Sequence, residues 1–263
     1  MRHGGGRAPR PRVAVVIAVV VAVALLSVAV AGGITLYRVS QEEAAAAARA
    51  ARDPQPKIVD TESRLVDNPI DFAALQQENH DIYAWLSIPG ANVSQPVLQS
   101  AADDLYYLSR DRDGNTNGIG SVFSQSMNAK DFSDPVTVLY GHNSDTIFKS
   151  LHDFADEAFF EANKDLQIYL PDRVLTYEIV AAYRYDDRHI LNSFDFSDVK
   201  VLQDYYDDVL NPDSSPAHVR SGVTLDAEKD KILQLSTCML NEFHGPHRFI
   251  VTAVLRGEQQ TRS

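Results

Sequence analysis

A series of short apolar runs, separated by polar turns, limits the fold of this chain more than any other feature. The runs are rich in valine, isoleucine, tyrosine and phenylalanine, and this length and composition are typical of β-strands. Many short strands in one domain indicate a β-sandwich or a closed β-barrel. The runs cover residues 92–99, 120–124, 135–142, 166–170, 175–185, 231–238 and 248–255.

Three stretches of the same domain have helical spacing instead. Residues 71–80 begin with an aspartate, a preferred cap of a helix, and residues 146–163 predict one or two short helices. Residues 196–210 form an amphipathic pattern between two strands. We therefore expect a mostly β domain that runs from residue 68 to 258, with a C-terminal tail at 259–263.

The N-terminal part of the chain is dominated by one long apolar stretch. Residues 13–37 form a run of 25 residues, and about 20 residues of helix are enough to cross a bilayer core. Residues 1–12 carry four arginines, which predicts a cytoplasmic N-terminus and a domain outside the cell. The alternative is a cleaved signal peptide, with a small-residue cleavage site at residues 29–31.

Residues 38–67 connect this predicted transmembrane helix to the folded domain. Residues 39–53 are rich in alanine, glutamate and arginine, so they predict a second, juxtamembrane helix, which Pro54 ends. Residues 54–67 read as a linker.

The charge of the chain argues against nucleic acid as a partner. Residues 1–38 hold five arginines and no acid, so the remainder carries 19 Lys and Arg against 36 Asp and Glu, a net charge of −17. Binding to phosphates needs a basic face, which such an acidic domain lacks.

The only cysteine, Cys238, stands at the end of an apolar run, just before a polar loop. A single cysteine excludes an internal disulfide and a multi-cysteine metal site. A thiolate nucleophile needs a base or a positive neighbour, and Arg248 begins the next run ten residues later. A guanidinium there could stabilise an oxyanion, together with the backbone N–H after the cysteine. Taken alone, a lone cysteine is more often a buried small apolar residue.

His142 is the best candidate for the base. It follows the run that ends near Tyr140, and Gly141 before it allows a tight turn. Two strand ends that each deliver one polar residue can meet at one rim of a barrel. His244 and His247 are closer to the cysteine in sequence, but they belong to a loop that we expect to be solvated.

These residues occur within a set of motifs along the chain. The motifs are YGHN at 140–143, LSTC at 235–238 with Arg248 beyond it, WLSIPGANVSQPVL at 85–98, DDLYYL at 103–108, GSVF at 120–123 and IFKSL at 147–151. On these motifs the chain resembles class B sortases, which are membrane-anchored cysteine transpeptidases. The resemblance implies a closed, sortase-like β-barrel with an N-terminal helix and a helix between the sixth and seventh strands, preceded by a single transmembrane helix.

The resemblance also implies a role for each matching residue. Cys238 would attack the carbonyl after a threonine of a C-terminal sorting signal and form a thioacyl-enzyme. His142 would transfer the protons, and Arg248 would hold the signal and the developing oxyanion. The positions implied to contact the substrate are Ser236, Thr237, Leu108, Asp104, Tyr185 and Ile190.

The implied partners are surface proteins or pilins that carry a sorting signal, and an amine of a peptidoglycan precursor or of a pilin lysine. The signal itself, NPxTN-like or LPxTG-like, stays open, and the host is expected to be a Gram-positive bacterium. Membrane lipid is expected around residues 13–37. We expect no cofactor and no metal, because the acidic segments 111–115 and 204–208 do not complete a calcium-loop pattern.

Other readings of the same residues remain. Papain-like enzymes and cell-wall amidases place the cysteine before the histidine, whereas here His142 precedes Cys238. Caspase-like enzymes have the observed order but are intracellular α/β proteins, and L,D-transpeptidases carry a compact His, Gly, Cys and Arg motif that is absent here. A membrane-tethered β-domain that binds peptide or cell wall, or a sortase that binds signals without turnover, also fits.

Overall fold

The computed structural model describes residues 11–58, 65–240, 242 and 245–262. The helices are α1 (Pro11–Ala50), α2 (Phe72–Glu78), α3 (Glu157–Ala162), α4 (Ile190–Ser193) and α5 (Val199–Leu210). The strands are β1 (Val66–Asp67), β2 (Ile82–Ile88), β3 (Val93–Leu98), β4 (Val122–Phe123), β5 (Val136–Tyr140), β6 (Asp165–Tyr169), β7 (Arg173–Asp186), β8 (Ala217–Val219), β9 (Ile232–Cys238) and β10 (His247–Arg262). Short 3₁₀ segments lie at Pro89–Ala91, Tyr106–Leu108 and Lys149–Ala155.

Within the described residues, eight of these strands close into a barrel. Their order is β10-β9-β5-β4-β3-β2-β6-β7, and β7 pairs again with β10. Closure leaves no unpaired edge in the ring, and β1 and β8 are attached outside it, to β10 and β7 respectively. The prediction of a mostly β, closed barrel is therefore confirmed.

The barrel wall separates two hydrophobic layers. Side chains that alternate along β9 and β10, such as Leu233, Leu235 and Phe249, fill the interior. The opposite face of the same strands is covered by α5, whose Tyr205 and Tyr206 pack against it. Each fully buried large apolar side chain contributes about 1.5–3 kcal/mol to folding, so both faces of this wall are held firmly.

The predicted helices of the domain are present. Asp71 caps α2 by accepting a hydrogen bond from the Ala74 N–H at 2.9 Å, and Asp198 caps α5. Residues 146–163 form the 3₁₀ segment Lys149–Ala155 and α3. Helix α5 lies between β7 and β9, which are the sixth and seventh strands when only the barrel is counted, as the family resemblance implies.

Two predictions for the domain were wrong or incomplete. Strand β2 was not predicted, because all seven of its residues are buried and it shows no alternation of apolar and polar side chains. The predicted tail at 259–263 is instead, as far as Arg262, part of β10, because Gln259 pairs with Val174 and Thr261 pairs with Val66.

The N-terminal part is one continuous helix, α1, rather than the two that the sequence predicts. Clustering of contacts divides the chain into two compact units, residues 1–44 and 45–263. Among the residues described here, no helix combines the length and the apolar character needed to cross a membrane. Helix α1 ends at Ala50, before Pro54, and its last turn belongs to the second unit, where Arg49 pairs with Glu78 and Asp113.

Candidate active site

The strand register sets two of the candidate catalytic residues opposite each other and places the strand that precedes the third beside them. Cys238 on β9 lies directly opposite Arg248 on β10, and Arg248 lies opposite Tyr185 on β7. On the other side of β9, Tyr140 of β5 lies opposite Ser236 in a parallel pair. His142 follows two residues after Tyr140, beyond the end of β5.

Alternation along β9 explains why the cysteine is accessible. Leu235 points into the barrel interior, and Thr237, two residues on, shares its face. Ser236 and Cys238 therefore face outward, where Cys238 is half-buried at the point where β9 ends. At the end of a strand, the paired backbone holds the cysteine in place while its thiol stays accessible to other molecules.

His142 lies beyond the end of β5 and is held by contacts with residues from other parts of the chain. Its Nε2 lies 2.7 Å from the carbonyl oxygen of Leu108. A carbonyl can only accept, so Nε2 carries the proton and Nδ1 is free to act as an acceptor. Gly120, with φ of 68°, backs the ring: a Cβ there would lie 3.1 Å from His142 Cδ2 and 2.7 Å from the Leu108 oxygen. Gly141 also has no room for a side chain: a Cβ there would lie 2.6 Å from Phe148 Cδ2.

Arg248 is half-buried and is bound by the loop between β9 and β10. Its Nη1 donates to the carbonyl oxygens of Gly245 at 2.9 Å and His247 at 2.8 Å. Its Nε and Nη2 groups bond to none of the described residues. The loop is fastened in turn by Glu242, which accepts from His247 Nδ1 at 2.6 Å. His247 is therefore paired at the start of β10 rather than in a solvated loop, and His244 lies outside the described residues.

The structure adds a histidine that the sequence did not single out. His152 lies in the 3₁₀ segment that follows β5, and its Nε2 donates to the carbonyl oxygen of Cys238 at 3.0 Å. Its ring is buried and lies 4.9 Å from that of Phe249. Burial lowers the pKa of His152, and the bond to the Cys238 carbonyl opposes this shift. No local pattern could reveal this contact, because the two residues are 86 positions apart.

The predicted substrate contacts divide into exposed and buried residues. Leu108 is 39% exposed, and Tyr185 lies on the same level as Cys238. Asp104 accepts a hydrogen bond from the Ser126 N–H at 2.7 Å. Thr237 and Ile190 are only 2% and 4% exposed, so neither faces a peptide in this structure. Ile190 packs instead in the hydrophobic cluster under α5, and Ser236 is also largely buried.

Tyr140 lies next to the end of β9, on β5 and opposite Ser236. Burial, followed by the nearby Asp104 carboxylate, raises the pKa of Tyr140 to about 12. The Tyr140 hydroxyl is buried and bonds to none of the described residues. His189 reaches across to Gln125, with Nε2 and Oε1 2.5 Å apart, and its ring lies 6.4 Å from that of Tyr140. The sequence did not single out His189 or Gln125, since neither belongs to one of the recognised motifs.

The acidic segment at 111–115 is explained by its own turn. The Asp111 carboxylate accepts hydrogen bonds from the backbone N–H groups of Asp113 and Asn115. Within the described part of the chain, no three His, Cys, Asp or Glu side chains form a group that could hold a metal ion.

Comparison with known proteins gives one consistent family. The model of the Sortase domain matches residues 86–256. Sortase B of Listeria monocytogenes is 28% identical over 184 residues, which cover 69% of this chain and 72% of that protein. The X-ray structure of Clostridium perfringens sortase B is 29% identical, with a TM-score of 0.63, and the match covers 71% of this chain and all of that chain (100%). A Staphylococcus aureus sortase B–substrate complex is 26% identical, with a TM-score of 0.61, and covers 70% and 84% of the two chains.

The glycine behind His142 allows a direct test of this geometry. Replacing Gly120 by alanine should displace the Leu108 carbonyl and the His142 ring, because the added methyl group has no space. Gly222→Ala is the matched control: its φ of +77° imposes a similar backbone strain, of about 1–2 kcal/mol, but nothing lies within 4 Å. Long-range ¹H–¹⁵N spectra of the histidine rings should show a changed His142 signal only for Gly120→Ala. An unchanged His142 signal in both variants would contradict this account.

Proposed function

This chain belongs to the sortase family, whose class B members are cysteine transpeptidases, and we propose that it cleaves a C-terminal sorting signal after threonine and transfers the protein to an amine. The observation that carries the proposal is the pairing of Cys238 with Arg248 across β9 and β10, with His142 two residues beyond the end of the neighbouring strand β5. Each residue type fits one need of acyl transfer: a nucleophile, a proton carrier and a fixed cation for the oxyanion.

In the first step, the Cys238 thiol gives its proton to His142 and Sγ attacks the carbonyl carbon of the threonine. The carbonyl electron pair moves to oxygen, where the Arg248 guanidinium and the Met239 N–H donate hydrogen bonds. The C–N bond then breaks, and the leaving amine takes the proton from His142. A thioester on Cys238 remains, so one difficult amide exchange is divided into two easier steps.

In the second step, an incoming amine attacks the thioester while His142 accepts its proton. Sγ leaves and recovers the proton, and a new amide bond joins the two molecules. Transfer rather than hydrolysis requires that the groove positions the acyl group and limits water. We propose surface proteins or pilins as the acyl donors, and an amine of a peptidoglycan precursor or of a pilin lysine as the acceptor.

A second candidate function is a membrane-tethered β-domain that binds peptide or cell wall without catalysis. The half-buried state of Cys238 and the arginine opposite it favour catalysis over this reading, because a structural cysteine needs neither a paired guanidinium across the strands nor an oriented histidine. The two functions differ in whether the thiol becomes acylated.

The acylation experiment uses the full chain in detergent with peptides that carry NPxTN-like and LPxTG-like signals. We expect an acyl adduct on Cys238 by mass spectrometry with at least one peptide, and none in Cys238→Ala. Arg248→Ala should slow acylation about 10²–10³-fold, because it removes an oxyanion donor. Arg256→Ala is the matched control, since Arg256 lies on the same strand but pairs with Glu178. If no peptide acylates an otherwise reactive thiol, the binding domain becomes the better description.

We also propose that residues 13–37 anchor the chain in the cell membrane as a single span, with the N-terminus in the cytoplasm and the catalytic domain outside. The support comes from the sequence: 25 residues that can span a bilayer, preceded by four arginines. Residues 38–67 would then form the connection, and the enzyme would act at the surface of a Gram-positive cell.

Fractionation of cells tests the anchor. The full chain should stay in the membrane pellet after an alkaline carbonate wash, whereas a variant with Leu25 and Leu26 both replaced by arginine should be released. Each arginine costs about 2.5–3.5 kcal/mol at the centre of a span, and the length of the segment is unchanged. A full chain that is washed off intact would contradict the anchor. A shortened protein that begins after residue 31 would indicate a cleaved signal peptide.

A further inference from the structure

His152 takes no part in the proton transfers of the proposed reaction, yet it is hydrogen-bonded to the backbone of the nucleophile. Its Nε2–H donates to the Cys238 carbonyl oxygen at 3.0 Å, and its ring is buried against Phe249. Because the carbonyl accepts, the ring is in the tautomer with the proton on Nε2. Burial lowers the pKa of His152, which favours the neutral form of the ring.

The direction of the Cys238 carbonyl follows from the pairing of β9. The Ser236 carbonyl accepts from the Gly141 N–H at 3.2 Å, so it points toward β5. Backbone groups alternate sides along a strand, so the Cys238 carbonyl points toward the same side two residues later. Strand β5 ends at Tyr140, and His152 provides the donor on this side that strand pairing no longer supplies.

Fixing this carbonyl also fixes the next N–H group. The peptide between Cys238 and Met239 is planar and trans, so its C=O and N–H point in opposite directions. The Met239 N–H is therefore turned away from His152, toward the side of β10. Arg248 stands on that side, directly opposite Cys238.

The peptide that follows Cys238 borders a pocket of about 370 Å³, lined by His152, Met239, Phe249 and residues of neighbouring loops. It therefore lies beside open space at the end of its strand. The hydrogen bond from His152 holds its carbonyl on that side.

We propose that His152 is a positioning residue, which aims the Met239 N–H at the oxyanion by holding the Cys238 carbonyl. The inference rests on the proposed function, since it concerns the same acyl transfer. When Sγ bonds to the substrate carbon, the carbonyl electron pair moves to oxygen and receives the Met239 N–H bond. His152 exchanges no proton in this step: the thiol proton passes to His142 and leaves with the amine.

The chain contains a closely matched control for this bond. His218 on β8 also donates from Nε2 to a backbone carbonyl, that of Ala155, at 2.9 Å. Its ring is stacked on that of Phe160, with the centroids 5.7 Å apart. Removing His218 therefore costs the same type of hydrogen bond and aromatic contact. Its acceptor Ala155 ends the 3₁₀ segment that carries His152, so the control loosens the same segment without removing the bond to the Cys238 carbonyl.

The experiment compares two small electrophiles on Cys238 of the full chain in detergent. p-Nitrophenyl acetate acylates the thiol through an oxyanion, whereas iodoacetamide alkylates it without one. His152→Leu should slow acetylation about 10- to 100-fold, somewhat less than complete removal of an oxyanion donor. Its alkylation rate should stay within about twofold, because no oxyanion forms in that reaction. His152→Gln, whose amide nitrogen can occupy the place of Nε2, should recover most of the acetylation rate, and His218→Leu should change neither rate.

Two results would overturn the inference: an unchanged acetylation rate in His152→Leu, or an equal slowing of both reactions, which is the signature of general structural damage. If the leucine variant does not fold, His152→Asn replaces it, because its amide is one carbon shorter than that of His152→Gln and does not reach the carbonyl. Equal acetylation by the Gln and Asn variants then contradicts the positioning role. A wild-type Cys238 that is alkylated but never acylated would instead overturn the proposed function itself.

Discussion

The antiparallel register between β9 and β10 is the constraint on which the rest of the site depends. It sets Cys238 opposite Arg248, and a slip of one residue would turn one of the two to the other face of the wall. The core prevents that slip, because Leu233, Leu235 and Phe249 are fully buried inside the barrel and would be forced outward. The packing of the interior therefore fixes the relative placement of the nucleophile and the guanidinium.

The remaining groups of the site are oriented by contacts from distant parts of the chain. Leu108 orients His142 through its carbonyl, and Gly120 leaves room for the ring. His152 orients the backbone of Cys238 from the opposite side. These contacts use buried or crowded groups, so the donors and acceptors are in place before a substrate arrives, which is the arrangement that electrostatic stabilisation of an oxyanion requires.

Much of this arrangement could be predicted from the sequence, because it follows from short-range patterns. Apolar runs indicated most of the strands, and strand ends carrying His142, Cys238 and Arg248 indicated a common rim. Strand β2 was missed because it is buried on both faces and lacks alternation. Ile190 and His152 depend on the tertiary structure: an isoleucine after a strand gives no sign of the helix α5 that covers it, and a buried histidine gives no sign of its carbonyl partner.

In the proposed reaction, the Met239 N–H and the Arg248 guanidinium stabilise the oxyanion formed at Cys238 by hydrogen bonds. The most direct measurement is a crystal structure of the protein with a sorting-signal peptide that ends in an aldehyde at the threonine position. The thiol adds to the aldehyde and leaves an oxygen where the oxyanion would form. We expect this oxygen to lie about 2.7–3.1 Å from both the Met239 nitrogen and a guanidinium nitrogen of Arg248. An oxygen directed at His142 or at solvent, with neither donor in reach, would contradict it.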